Sequence, residues 1–268
     1  MPDSQQGEWD QRYRKRKDKF TRLVAEGDSW FAYPVWNNIV DYVDTETKQY
    51  AIRRLGESGR RLNEIVNDGN YLKAVQEENP KALLISGSGN DFINKEFVTG
   101  GDGGQPLLNK YKPGSPADDL VNKTKWRGKL NEITGLFETL ISRVDGAAPI
   151  LVHGYDYIIP SPEGAKYDGK VVAGPWIQPT MHTQGIDDAD LQRAIGKYMI
   201  DSINDLLTKI ALDHPKKFYH VSLLGTLPDG DWANEIHPYG RGFKKLAVRM
   251  SAAISLVLSG NVAPPVIT

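Results

Sequence analysis

Five short apolar runs, separated by longer stretches of helical periodicity, restrict this chain more than any other feature. The runs are Arg22 to Glu26, Tyr50 to Leu55, Ala82-Leu83-Leu84-Ile85, Pro149-Ile150-Leu151-Val152 and Phe218 to Leu223. They are short and continuously apolar, which suits strands buried on both faces of a parallel sheet. The stretches between them carry apolar residues three and four apart. Leu62, Ile65, Val66, Leu72 and Val75 share one helical face. Leu130, Ile133, Phe137, Leu140, Ile141 and Val144 make the cleanest stripe. Leu191, Ile195, Met199, Ile203, Leu206 and Ile210 form a third, and Phe243, Leu246, Ala247, Met250, Ile254 and Val257 a fourth. Strand alternating with helix predicts an α/β chain with a doubly wound sheet.

The 268 residues fit a single large domain with a substantial core. A formal net charge of −1 argues against a general nucleic-acid binder. The basic cluster Arg12-Tyr13-Arg14-Lys15-Arg16-Lys17 is local and reads as part of a solvated, partly helical N-terminal arm over residues 1–20. With no cysteine, disulfides, thiolate catalysis and cysteine-based zinc sites are excluded. No apolar h-region marks a signal peptide and no run is long enough to span a membrane. The expectation is therefore a cytoplasmic protein, or one exported without such a signal, with no stable membrane insertion. Two irregular segments, 92–125 and 154–188, are rich in Gly, Pro and aromatics and read as insertions of the lid or binding-loop kind.

Ligands of a doubly wound sheet bind beyond the carboxyl ends of its strands. The first run is followed by Gly27-Asp28-Ser29, the second by Gly56-Glu57-Ser58-Gly59, the third by Gly87-Ser88-Gly89-Asn90-Asp91, and the last by Asn234-Glu235-Ile236-His237-Pro238. A hydroxyl, a glycine turn, an amide and a histidine would thus meet on one rim. A serine needs a base to become a nucleophile, and a tetrahedral intermediate needs fixed N–H donors. Backbone N–H groups of Ser29 and Gly59 and the Asn90 side chain could supply these donors. Glycine at 59 is expected because backbone must approach substrate there with no Cβ in the way.

The order GDS…SG…GND…HP resembles the SGNH/GDSL hydrolases, a family of esterases and lipases, over roughly residues 22 to 258. The four block residues fall on Ser29, Gly59, Asn90 and His237. The resemblance implies a flavodoxin-like three-layer α/β/α sandwich with a central parallel sheet, here five-stranded. It also implies a serine esterase working through an acyl-serine, with Ser29 as nucleophile, His237 as general base and acid, an oxyanion hole of Ser29, Gly59 and Asn90, and no metal or cofactor. Three positions depart from the family pattern. Trp30 stands where an aliphatic residue usually follows the serine, and Ser88 replaces a glycine two residues before Asn90. Asn234 occupies the acid position of D-x-x-H. Three arrangements remain open for that last site: Asn234 orienting His237, a Ser-His dyad on a backbone carbonyl, or a carboxylate from Asp231 or Glu235.

Trp30, His153 and Tyr155 are candidate substrate contacts. The remaining histidines show no metal-ligand spacing, and no phosphate-binding glycine motif follows a strand. The expected partner is a small-molecule or lipid ester. The substitution at Asn234 leaves room for a catalytically weakened binding or accessory protein, and the family's lipases leave room for a phospholipase-type effector acting on membranes. The oligomeric state is not legible.

Overall fold

The computed structural model describes residues 3–93, 107–260 and 263–268, with side chains from residue 6 onward. Residues 94–106 of the first expected insertion lie outside the described residues.

All five expected strands are present: β1 (Thr21–Gly27), β2 (Tyr50–Arg54), β3 (Ala82–Ser86), β4 (Ile150–His153) and, later in the chain, β7 (Phe218–Val221). β5 (Ala165–Tyr167) and β6 (Lys170–Ala173) form a separate antiparallel hairpin inside the second insertion. The central sheet has six strands, not five, because β8 (Val266–Ile267) adds to the edge of β7. Two residues of Pro-Val-Ile-Thr are too short a run to show a strand pattern, and only pairing with β7 makes them one. The order is β2-β1-β3-β4-β7-β8 and every pairing in this sheet is parallel. Strands β1, β3 and β4 are almost wholly buried, as their continuous apolar runs require.

Among the described residues the α-helices are α1 (Asp3–Arg16), α2 (Ile39–Thr47), α3 (Leu62–Asp68), α4 (Asn70–Glu78), the short α5 (Gly89–Phe92), α6 (Lys123–Val144), α7 (Gln178–Thr183), α8 (Ala189–Asp213) and α9 (Gly240–Leu258). α2 packs on α9, while α3, α4 and α8 pack on α6, so the sheet lies between two helical layers in a three-layer α/β/α sandwich. The expected face from Leu62 to Val75 is split in two. Gly69, at φ +66°, takes the left-handed conformation that closes α3, and α4 starts from it. α2 was not foreseen from periodicity. Asn38 caps it by accepting from the Val40 and Asp41 N–H groups, and Asp41 returns a bond to the Asn38 N–H. The N-terminal arm is helical, but Trp9 and Tyr13 are buried where it packs on β2. Between α6 and β7 the core closes with the Phe137 and Phe218 rings edge to face at 5.5 Å.

Strand order reverses direction at β1, with β2 to one side and β3 to the other. The crevice between the carboxyl ends of β1 and β3 is therefore the topological switch point, where an open α/β sheet leaves room for a ligand.

Candidate active site

Gly27 ends β1 directly opposite Ser86 of β3. A Cβ on Gly27 would lie 2.6 Å from both the Cβ and the carbonyl oxygen of Ser86, so only glycine fits this approach. The chain then turns. Asp28 donates its N–H to the Ser86 carbonyl, and its Oδ1 accepts from the Trp30 N–H at 2.9 Å. This side-chain turn holds Ser29 at the strand end, where its Oγ lies 2.8 Å from His237 Nε2.

His237 arrives from the loop before α9. Asn234 builds that loop: its Oδ1 accepts from the backbone N–H of Ile236 at 3.1 Å and of His237 at 2.9 Å. Those two donors fix which end of the amide faces the ring, since the NH₂ group could not accept them. The same Oδ1 lies 3.2 Å from His237 Nδ1. A carbonyl oxygen only accepts, so Nδ1 carries the proton, and Nε2 is left bare to receive the Ser29 hydroxyl proton. The ring is buried, with Tyr33 at 4.5 Å and Trp176 at 5.6 Å between ring centres. Burial without a charged partner pulls the His237 pKa down to about 3, so the ring is neutral across the ordinary pH range.

Neither carboxylate of the third arrangement reaches the imidazole. Asp231 is held by Arg241 Nε at 2.7 Å and Lys245 Nζ at 2.6 Å. Glu235 turns the other way and is fully buried. It accepts from the backbone N–H groups of Trp176, Ile177 at 2.9 Å and Gln178 at 2.6 Å, where α7 begins. Burial raises its pKa. Glu235 thus ties the second insertion to the His237 loop. No local sequence signal marks this role, because its partners lie nearly sixty residues away.

Gly59 has φ +86°, and a Cβ there would meet nothing within 4 Å. Glycine suits the left-handed backbone here, a requirement beyond the close approach expected from sequence. Asn90 sits in α5 and donates from Nδ2 to the Arg60 carbonyl at 2.9 Å, leaving its second N–H hydrogen for another acceptor. Among the described residues the backbone N–H groups of Ser29 and Gly59 have no protein acceptor. Asp91 caps α3 through the Leu62 N–H at 2.8 Å, so the loops after β2 and β3 are locked together. Burial lifts its pKa to about 6. Beneath them the fully buried Glu26 pairs with Arg60 at 3.0 Å. Desolvation outweighs that pairing and pushes the Glu26 pKa up to about 8. Neither acid was singled out by sequence.

Comparison with solved structures places this architecture. An extracellular lipase from Streptomyces rimosus superposes with a TM-score of 0.54 at 16% identity, over 87% of this chain and 99% of that one. A catalytic mutant of Axe2, an acetylxylan esterase from Geobacillus stearothermophilus, gives 0.51 at 14%, over 87% and 94%. A member of the lipolytic G-D-S-L family from Veillonella parvula gives 0.48 at 13%, over 85% and 95%. The chain shares the fold of the Streptomyces lipase and the Geobacillus esterase. No protein-family model and no curated relative matches the sequence.

On this scaffold Ser29, Trp30, Asn90 and Tyr155 border a cavity of about 60 Å³, walled by Phe92, Ile158, Ile177, Met199, Ile203 and Ile236. Its lining is almost entirely apolar. A larger groove of about 470 Å³ lies on the Asn234 side, between Tyr33, Trp36, Trp232 and Tyr239 and the charged pair Glu163 and Lys166. Trp30 explains its departure from the GDSL pattern. Its indole stacks on His153 at 5.4 Å and 19°, and its Nε1–H donates to the Ile236 carbonyl at 3.1 Å. His153, expected on the rim, is fully buried behind that indole and does not line the cavity. Among the described residues no group of three or more His, Asp or Glu could hold a metal ion, and no helix is long and apolar enough to cross a membrane.

Proposed function

We propose that the protein is a serine esterase that hydrolyses short-chain carboxylic esters through an acyl-serine. The observation that carries this reading is the aligned series Ser29 Oγ, His237 Nε2, His237 Nδ1 and Asn234 Oδ1, with contacts of 2.8 and 3.2 Å. A serine that merely capped a turn would have no reason to face a bare imidazole nitrogen.

His237 Nε2 takes the Ser29 proton as Oγ attacks the ester carbonyl carbon. The carbonyl oxygen, now negative, is received by the N–H groups of Ser29 and Gly59 and the free Asn90 Nδ2 hydrogen. His237 then protonates the alcohol oxygen and the ester C–O bond breaks. Water adds to the acyl-serine with the same ring as base. Asn234 keeps the ring in the right tautomer, but its neutral oxygen stabilises the imidazolium less than a carboxylate would. The reading is of a working hydrolase with a weak base, and the Ser29–His237 bond favours it over an accessory protein that has lost turnover.

The acyl group belongs in the apolar cavity beside Ser29. Its small, apolar interior suits acetyl to butyryl esters better than long lipid chains. The alcohol leaves on the His237 side, toward the aromatic groove. A series of p-nitrophenyl esters from acetate to palmitate tests this, on the wild type and Ser29→Ala. The expected result is turnover peaking at short chains and abolished in the variant, with rapid fluorophosphonate labelling of Ser29. Equal rates for the two proteins, or no turnover and no labelling, would refute the assignment.

A further inference from the structure

Beneath the nucleophile turn lies a buried chain of polar groups that the reaction does not use. Ser86 Oγ is 2.6 Å from Asp28 Oδ1 and 2.8 Å from His153 Nε2. His153 Nδ1 is 2.8 Å from the Gly154 carbonyl oxygen. The other Asp28 oxygen accepts from the Tyr155 hydroxyl at 3.2 Å, and that hydroxyl accepts from the Gly89 N–H at 3.0 Å. Asp28, Ser86 and His153 are each at most 2% exposed.

Counting hydrogens leaves few arrangements. The Gly154 carbonyl can only accept, so His153 Nδ1 carries a proton. Ser86 has one hydrogen for two contacts. If that hydrogen goes to an ionised Asp28, Ser86 must accept from His153 Nε2, and the ring is an imidazolium. If it goes to His153 Nε2, Ser86 must accept from Asp28, and the carboxyl is protonated. The two forms interconvert when the Asp28 proton moves to Ser86 as the Ser86 proton moves to Nε2. An ionised Asp28 beside a neutral ring is the arrangement that fails, because one short contact would then join two lone pairs. It would also leave a net charge buried.

We propose that Asp28, Ser86 and His153 act as one net-neutral unit holding a single shared proton, and that His153 thereby positions the Asp28–Ser29 turn. The surroundings agree. Trp30 stacks on the His153 ring, and Phe31 lies 5.3 Å away, tilted, which favours a cationic ring. Burial lowers the His153 pKa on balance, against the Gly154 carbonyl and the Asp28 carboxylate that push it up, which leaves the neutral ring with a protonated carboxyl as the other form of the unit. The other titratable groups facing the unit stay neutral: Tyr155, whose pKa burial raises, and His220 on β7, which burial lowers to about 4. A neutral unit also keeps a bare negative charge away from the N–H groups proposed to receive the oxyanion. The functional consequence rests on the esterase reading, while the shared proton does not.

The test is nuclear magnetic resonance of protein labelled with ¹³C and ¹⁵N, reading the Asp28 carboxyl and the His153 ring together between pH 6 and 8. The expected spectra show a doubly protonated ring with an ionised carboxyl, or a singly protonated ring with a carboxylic acid. A singly protonated ring beside an ionised carboxyl overturns the proposal. Ser86→Ala, checked for folding by circular dichroism, removes the bridge. It should release the shared proton and lower kcat roughly tenfold or more with KM little changed. Unchanged ring and carboxyl signals in that variant would show that Ser86 carries no shared proton. An unchanged kcat would show that the unit does not hold the turn. The spectra need no turnover, so an inactive wild type would refute the esterase reading alone.

Discussion

Asn234→Asp is the most informative single substitution, because the structure already holds what a carboxylate there would need. Asn234 Oδ1 accepts two backbone N–H groups and faces His237 Nδ1 at 3.2 Å, so an aspartate would keep all three partners. The new element is charge. At an effective dielectric constant of about 20, a carboxylate this close to an imidazolium contributes about 5 kcal/mol, or roughly 4 pKa units. Desolvating the new carboxylate offsets part of that, and a net rise of about 1–3 units is expected. His237, which burial pulls down to about 3, would then titrate between about 4 and 6. The base is active when deprotonated, so wild-type kcat/KM should hold as pH falls well below 6 while the protein stays folded. In the variant the acid limb should move upward by the same shift. A stronger base should also raise kcat/KM about tenfold near pH 8. The assay is hydrolysis of a short-chain ester from pH 4 to 9, with product separated chromatographically so that detection does not depend on pH. A folded variant whose acid limb does not move would show that His237 is not the base, or that residue 234 does not govern it.

Three further outcomes follow from the packing. Gly27→Ala forces a Cβ within 2.6 Å of Ser86 backbone and side chain, and should cost about 2–3 kcal/mol in denaturant unfolding while lowering activity. Glu235→Gln replaces a buried carboxylate that accepts several backbone N–H groups, and should expose the 161–178 segment to limited proteolysis before global unfolding. Glu26, whose folded pKa lies near 8, binds more protons folded than unfolded between about pH 4.5 and 8. Its contribution to stability therefore falls as pH rises through that window, by at most about 1.4 kcal/mol per pH unit. Glu26→Gln should flatten this slope in chemical denaturation at pH 5 and 8, and equal slopes for both proteins would refute the assignment.

The α/β class was legible in the sequence because strand and helix periodicities are local properties. Apolar runs at Ala82–Ile85 and Pro149–Val152 could serve only as strands buried on both faces, and the stripe from Leu130 to Val144 only as a helix with one buried face. The positions of Ser29, Gly59, Asn90 and His237 were legible too, since each follows a strand end and strand ends of a parallel sheet converge. What the sequence left open were relations across long separations. β8 is a strand because β7 offers its edge. Gly59 takes a left-handed φ that no local run of sequence announces. Asn234 was the favoured partner of His237 with Asp231 and Glu235 left open, and only the folded chain assigns one to Arg241 and Lys245 and the other to the start of α7. His153 looked like a rim residue because it follows a strand. It became a buried partner of Ser86 because Trp30 lies over it. Backbone periodicity is written residue by residue, whereas the partner of a buried polar group is decided by whichever donor or acceptor packing brings within 3 Å, and that depends on the whole fold.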